Sequence, residues 1–312
     1  MSSTPDPNLP TLYFDVAFPD EYRDLIDGRA VAVGPDDGLE RADAVIAGAR
    51  IAWGAELFAG AEQLKVISRT GIGYDNIDVA AATAAGVTVC NAPVAPSVST
   101  AEHTLALLLA ITKQLPVQMA RSRAGLASTG RGEALELDGC TLGLVALGRI
   151  SSRVAVAAVA LGMRVIAHDP FLTESPVPGV ELVELDTVFS DSDVISLHAP
   201  ATPDTHHLVD AGRLAQMRPG AYLVNASRGT LIDQDALLAA LESGQLGGVA
   251  LDVTDPEPLP ADHPLLARDD VIVTPHIASA TVAGRRRLYE HAIDNALAVL
   301  EGRPATIVAP PS

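Results

Sequence analysis

Residues 141–170, TLGLVALGRISSRVAVAAVALGMRVIAHDP, constrain the fold of this chain more than any other stretch. A short apolar run (Leu142, Leu144, Val145) meets Gly148. An alanine- and valine-rich segment follows, and a second β-branched run, Val165-Ile166, ends at Asp169. Strand, tight turn, helix and strand in that order make one βαβ unit whose second strand closes on an acidic residue. The helix of such a unit presents unpaired backbone N–H groups to the turn. A diphosphate can sit there, and an Asp roughly 20 residues on can accept from both hydroxyls of a ribose. Sliding G-x-G-x-x-G along the stretch puts its glycines at 146, 148 and 151, and only Gly148 is present. That middle glycine lets the backbone approach a pyrophosphate. Ala146 must make the tight turn with a Cβ, and Ser151 must fit where helix and strand pack closely. Gly143 and Gly148 also have phosphate-loop spacing, but Arg149-Ile150 stand where that loop needs Lys and Ser/Thr, which argues against a nucleotide triphosphatase.

A chain of 312 residues is long enough for two domains, each with its own core, and 48% hydrophobic residues make it globular. The formal charge of −18 discourages nucleic acid or an anionic membrane as a partner. Two cysteines, Cys90 and Cys140, make no metal spacing and no disulfide framework, and read as buried free thiols. MSSTPDPNLP lacks the basic and apolar regions of a signal peptide, and no apolar run reaches membrane-spanning length. A cytoplasmic protein is expected.

From Thr11 to about Pro96, short apolar runs (LYFDV, VAV, AVIAG, LKVISRTG, VTVC) alternate with helical patterns near 20–27, 55–62 and 78–85, as in an α/β domain with a parallel sheet. Gly71 and Gly73 in RTGIGYDNID would let backbone N–H groups point at a carboxylate, or else form an ordinary glycine turn. Ser99-Thr100-Ala101-Glu102 reads as a capping box opening a long helix that crosses to the second domain, with Leu105, Leu108, Leu109 and Thr112 on one face. Pro93 and Pro96 mark the boundary. Residues 120–138 read as irregular surface. Further β and α alternations follow: VELVEL, DVISLHAP, a helix near 210–217, AYLVNAS, a helix from Asp233 to Ser243 ended by Gly244, GGVALDV and DVIVTPH.

In open parallel sheets, ligands bind beyond the carboxyl ends of the strands. Four predicted strands end in polar residues there: His198, Asn225–Arg228, Asp252 and His276. Glu257 follows in DVTDPEPLP, its direction constrained by Pro256 and Pro258. Beside a nicotinamide, Arg, Glu and His divide the labour of oxidising a 2-hydroxy acid. The base must titrate near neutrality, which suits His276. Glu257 would orient the ring and favour the imidazolium. Arg228 would pair with the substrate carboxylate and polarise the ketone in reverse.

GIGYDNID, STAEHTLALLLA, LHAPATPDT, MRPGAYLVNASRGTLID, GGVALDVTDPEPLP and TPHIAS, in that order, resemble the blocks of the D-isomer-specific 2-hydroxyacid dehydrogenases, most closely the phosphoglycerate dehydrogenase-like branch. The resemblance runs from about Val66 to Thr281. It implies two Rossmann-like α/β domains with parallel sheets and an active site in the interdomain cleft. The substrate domain would be discontinuous and flavodoxin-like, over 1–98 plus 284–312, with the NAD-binding domain over 99–283. It also implies NAD(H), a small 2-hydroxy or 2-keto acid substrate, and a homodimer formed through the NAD-binding domains.

Carried over by motif, Arg228, Glu257 and His276 look like the catalytic set. Ile72 and Gly73 look like the loop that offers backbone N–H groups to the substrate carboxylate, and Arg69 is a candidate for meeting a substrate phosphate or for a surface ion pair. Gly148, Arg149 and Ile150 match the pyrophosphate contact. Asp169 matches the ribose contact and favours NAD over NADP. Thr100, Ala199, Ala226 and Asp252 match positions near the nicotinamide ribose or ring, with Thr205 and Ala278 beside them. Nothing after Ile307 is expected to form the regulatory domain of some phosphoglycerate dehydrogenases. Two functional readings follow. One is an NAD-dependent D-2-hydroxyacid dehydrogenase or 2-ketoacid reductase acting on 3-phosphoglycerate, glycerate/hydroxypyruvate or a larger acid. The other is a non-catalytic NAD(H)-binding sensor like the family's co-repressors, motivated by Ala146 and Ser151.

Overall fold

In a computed structural model, residues 8–127 and 134–309 are described. The chain divides into two compact units, Met1–Pro96 with Ala280–Ser312, and Ser97–Ser279. These divisions fall two and four residues before the expected ones.

Unit 1 begins with β1 (Thr11–Phe14), β2 (Val31–Val33), β3 (Ala44–Ala47), α1 (Ala55–Ala59), β4 (Val66–Arg69), α2 (Val79–Ala84) and β5 (Thr88–Cys90). Each strand is apolar on both sides, as a sheet covered on both faces requires. Successive side chains part to opposite faces: Leu12 and Phe14 to one, Tyr13 to the other; Ile46 to one, Val45 and Ala47 to the other. Trp53, Phe58 and Ala82 cover the second face.

Unit 2 contains α3 (Ser97–Thr112), α4 (Leu115–Arg123), β6 (Thr141–Val145), α5 (Arg149–Ala160), β7 (Arg164–His168), β8 (Val180–Leu182), α6 (Leu185–Asp191), β9 (Val194–Leu197), α7 (Ala211–Gln216), β10 (Ala221–Asn225), α8 (Gln234–Glu242), β11 (Leu246–Leu251) and β12 (Val271–Val273). The chain then returns to unit 1 with α9 (Val282–Leu300) and β13 (Ile307–Ala309). Ala292, Ile293, Ala296 and Leu297 of α9 cover the first face of that unit's sheet, against Leu12, Phe14 and Ile46.

The sheet of unit 1 runs β13-β5-β4-β3-β1-β2, and that of unit 2 runs β12-β11-β10-β9-β6-β7-β8. Renumbered within each unit, these are the flavodoxin-like 2-1-3-4-5 order and the dinucleotide-binding 3-2-1-4-5-6 order, each extended by one strand. All pairings in unit 2 are parallel. Unit 1 departs from an all-parallel sheet at one edge, where β13 pairs antiparallel with β5 because the chain arrives from α9 in the opposite sense. In unit 2, Leu142 and Leu144 pack with α3 and α5, while Val145, Ile195, Leu197 and Leu223 pack with α6, α7 and α8. Gly143 is needed because a Cβ there would run into Val188 and Ser192 of the α6 region.

Three local expectations are corrected. The long helix starts at Ser97, so Ser99 and Thr100 lie inside its first turn and do not cap it, and the helix belongs wholly to unit 2. Burial of Ser97, Thr100, Ala101 and Thr104 under packing partners outweighs the local capping pattern. The stretch from 120 is helical to Arg123 in α4, and 128–133 lies outside the described residues. Cys90 is buried and its thiol is pushed up to about 12, whereas Cys140 is only half-buried. No described helix is long and apolar enough to cross a membrane.

Candidate active site

All carboxyl ends of unit 2's strands lie along one edge of its sheet, so the loops that follow them share that edge. The switch point is between β6 and β9, where Val145 registers with Leu197. Ala146 takes φ 72, a left-handed conformation that costs an L-residue roughly 1 kcal/mol or more, and its N–H donates to His168 O at 2.8 Å. The tight turn expected of a glycine is therefore made, with strain. Ser151 is fully buried, and its hydroxyl donates back to Gly148 O at 3.2 Å.

Gly148 has φ −88, which any residue could adopt, and a Cβ there would touch nothing within 4 Å. Neither backbone conformation nor internal packing demands a glycine. What the glycine provides is open space at the uncapped N-terminus of α5, a twelve-residue helix whose first amides have no side-chain cap. Arg149 and Ile150 are the first two residues of that helix. Asp169 follows β7, where its Oδ2 accepts from Leu147 N at 2.9 Å and its Oδ1 from Phe171 N at 3.0 Å, so the carboxylate is held in place beside the turn. An open cradle of backbone donors with an oriented carboxylate next to it fits the diphosphate and ribose of a dinucleotide. His198 emerges beside Ala146, with its N–H on Val145 O at 2.9 Å and Nε2 3.0 Å from Ser196 Oγ. Burial pushes its pKa down to about 4, so this edge carries a neutral imidazole.

The loops after β10, β11 and β12 bring the predicted catalytic residues onto adjacent strand ends. Asn225 shapes the first: its Oδ1 accepts from Ser227 N at 3.0 Å and its Nδ2 donates to Arg228 O at 2.8 Å. Ser227 Oγ donates to Ala199 O, and Arg228 Nη1 to Ser227 O at 2.7 Å. Ala226, half-buried, lies within the same turn. Gly229 then packs directly on the Thr254–Asp255 backbone, where a Cβ would overlap Thr254 O. This close approach joins the loop carrying Arg228 to the loop carrying Glu257.

His276 Nδ1 lies 2.7 Å from Glu257 Oε1, and the two side chains are 37% and 40% exposed. Burial works to raise the Glu257 carboxyl, but the hydrogen bond and charge of His276 outweigh it and hold it below the usual carboxylate range. His276 has φ 53, unusual for a residue with a side chain, and its N–H donates to Asp252 O at 2.8 Å and Thr274 O at 3.0 Å.

The carboxylate of Asp252, which follows β11, is fully buried and held by the protein: Oδ1 accepts from Ile277 N at 2.9 Å and Thr274 Oγ1 at 2.6 Å, and Oδ2 from Ala278 N at 2.8 Å. Burial alone would raise this carboxyl, and these donors, with His103, bring it below its ordinary value. Thr205 is likewise spent locally, with its hydroxyl accepting from Thr202 N at 2.8 Å and donating to Pro200 O at 2.7 Å. Ala199, Ala278 and Thr100 are buried small residues of unit 2.

In unit 1, the turn after β4 differs from the expected nest. Gly71 spends its N–H on Arg69 O at 2.9 Å, and a Cβ on it would meet Arg69 Nη1 at 2.9 Å. Gly71 therefore makes room for Arg69, which is buried and bonds Thr70 Oγ1 at 3.2 Å. Asn91 Nδ2 donates to Ile72 O at 2.7 Å. Because the peptide is planar and trans, fixing the Ile72 carbonyl toward Asn91 turns the Gly73 N–H the opposite way.

Two residues that hold these loops escaped the sequence reading: Asn91 and His103. Each acts by a contact with residues distant in sequence or with the backbone, which leaves no spacing signal. Gly229 could have been singled out as a glycine directly after a candidate substrate-binding arginine.

Residues 105–278 match the family model for the D-isomer specific 2-hydroxyacid dehydrogenase, NAD binding domain. The chain belongs to this family. Its cofactor is NAD(H), in keeping with the open cradle at Gly148. The chain is 42% identical over 229 residues to a D-3-phosphoglycerate dehydrogenase of Archaeoglobus fulgidus, covering 73% of this chain and 44% of that protein. It thus spans about half the length of the curated relatives it matches. Among solved structures, the TT0316 protein of Thermus thermophilus superposes with a TM-score of 0.87 at 39% identity, covering 96% of this chain and all (100%) of that one. A D-lactate dehydrogenase from Aquifex aeolicus, complexed with NAD and lactic acid, superposes with a TM-score of 0.85 at 30% identity over 97% of this chain and 100% of that one.

Proposed function

We propose that the chain is an NAD(H)-dependent oxidoreductase of a small D-2-hydroxy acid and its 2-keto acid. The observation that carries this reading is the His276–Glu257 pair, partly exposed on adjacent strand ends and joined to the Arg228 loop through Gly229. When bound, NAD(H) accepts or supplies the hydride at C2. The remaining chemistry belongs to the protein. His276 donates from Nδ1 to Glu257, which leaves Nε2 to take the hydroxyl proton in oxidation or return it in reduction. Glu257 stays ionised and stabilises the imidazolium. Arg228 pairs with the substrate carboxylate. Gly148, Arg149 and Ile150 receive the pyrophosphate, and Asp169 the ribose hydroxyls, where its charge opposes a 2′-phosphate.

The discontinuous unit serves as the substrate domain in this reading. Phosphoglycerate, glycerate and lactate-sized acids are the first substrates to try. A homodimer through unit 2 is supported by apolar side chains left exposed on α4 and α5: Leu115, Met119, Val156 and Val159. The test is titration of the purified protein with NADH and NADPH by fluorescence, followed by a panel of 2-keto and 2-hydroxy acids. NADH should bind more tightly than NADPH, with turnover of at least one acid. Binding of NADH without turnover of any would overturn the reading in favour of a sensor.

A further inference from the structure

His103 lies on α3, outside the strand-end loops, and its contact with Asp252 reaches further than that carboxylate. Its Nε2 is 3.1 Å from Thr274 Oγ1 and 3.3 Å from Asp252 Oδ1. Thr274 has one hydroxyl proton and gives it to Asp252 Oδ1 at 2.6 Å. Toward His103 the threonine oxygen can only accept, so His103 Nε2 must carry a proton. The result is a directed chain, His103 Nε2–H to Thr274 Oγ1–H to the Asp252 carboxylate. Such chains strengthen their members cooperatively in a dry interior.

The far end of this chain is the catalytic loop. Asp252 takes the N–H groups of Ile277 and Ala278 on its two carboxylate oxygens and that of His276 on its main-chain oxygen. Three consecutive amides, beginning at the left-handed His276, are therefore held by one residue. A strained conformation of this kind persists only where its surroundings over-determine it. The carboxylate can hold two amides only while it stays ionised and oriented in a fully buried position, and among the described residues His103 supplies the one donor to this cluster that comes from outside the strand-end loops.

We propose that His103 is a positioning residue: through Thr274 and Asp252 it fixes the backbone of residues 276–278 and so the direction of the His276 imidazole. Its effect on turnover rests on the function proposed above, whereas its effect on the loop does not. Two variants separate the donor from the volume. His103→Leu removes the donor, and His103→Gln keeps an N–H group at similar reach.

The experiment measures backbone amide exchange at Ile277 and Ala278 by NMR in the wild type and both variants, alongside kcat, KM and the Kd for NADH. In His103→Leu, exchange at both amides should quicken about tenfold, the scale of one lost hydrogen bond to a charged group. The kcat should fall by a similar factor, with KM and NADH affinity within about twofold of the wild type. His103→Gln should restore both protection and kcat. Unchanged amide protection in His103→Leu would overturn the proposal, as would a glutamine variant no better than the leucine one. If the wild type turns over no acid, the function reading falls while the exchange data still decide the clasp.

Discussion

Gly229 and Thr254 are packed backbone against backbone, so closely that a methyl group on Gly229 would occupy the place of the Thr254 carbonyl oxygen. This contact ties the turn after β10 to the turn after β11 and keeps Arg228 and Glu257 on neighbouring loops. The glycine is required by proximity: no left-handed φ is involved. Gly229→Ala should force the loops apart, costing about 1–3 kcal/mol as overpacking does. Turnover should fall at least about tenfold, while NADH affinity, set at the β6 turn, changes little. Urea denaturation with parallel kinetics checks this, and wild-type kcat in a stably folded variant would contradict it.

The His276–Glu257 pair predicts distinct outcomes for its two members. His276→Ala should lower kcat by about two orders of magnitude or more, the usual cost of losing a general acid or base. Glu257→Gln keeps an oxygen acceptor and removes the charge that favours imidazolium. Its kcat loss should be smaller, and the alkaline limb of 2-keto acid reduction should move to lower pH. A pH–rate profile superimposable on the wild type would remove Glu257 from the mechanism.

The two departures from the glycine fingerprint should respond with opposite signs. Ala146 is left-handed, so Ala146→Gly relieves steric cost and should stabilise the fold by about 0.5–1 kcal/mol, net of the added freedom of the unfolded chain. Ser151 is buried in the first turn of α5 and bonded to Gly148 O, so Ser151→Gly should destabilise by about 1 kcal/mol. Midpoints of urea unfolding measure both. Equal signs would mean that the turn, and not each residue's own conformation, governs stability.

His198 makes the acid stability of the protein predictable. Its pKa falls from 6.5 to about 4 because burial disfavours the charged ring. Between those values the unfolded chain binds a proton that the folded chain refuses, so stability rises with pH across the window and falls as the solution is acidified from 6.5 toward 4. The full difference is about 3 kcal/mol by the usual conversion. His198→Asn should lose much less stability than the wild type between about pH 7 and 4.5. Parallel losses in denaturant titrations at the two pH values would show that other groups dominate.

The βαβ unit, the order of most strands and helices, and the gathering of polar residues at four strand ends were legible in the sequence. Those features rest on periods of 2 and 3.6 residues and on short motifs, which are local. The same local reading misplaced the start of α3, because burial of Ser97 and Thr100 overrode a good capping pattern, and it left Gly71 open between a ligand nest and an ordinary turn, where the fold makes a turn that clears space for Arg69. It gave no sign that the Asp252 carboxylate is held by Thr274, Ile277 and Ala278. His103 and Asn91 left no trace in spacing at all. Which residue types meet at the sheet edge is determined by sequence, since strand ends are set by local pattern and a parallel sheet gathers them. Which backbone groups those residues hold, and which glycine stands where two loops touch, is decided only in the tertiary structure, because hydrogen bonds and close packing join atoms far apart along the chain.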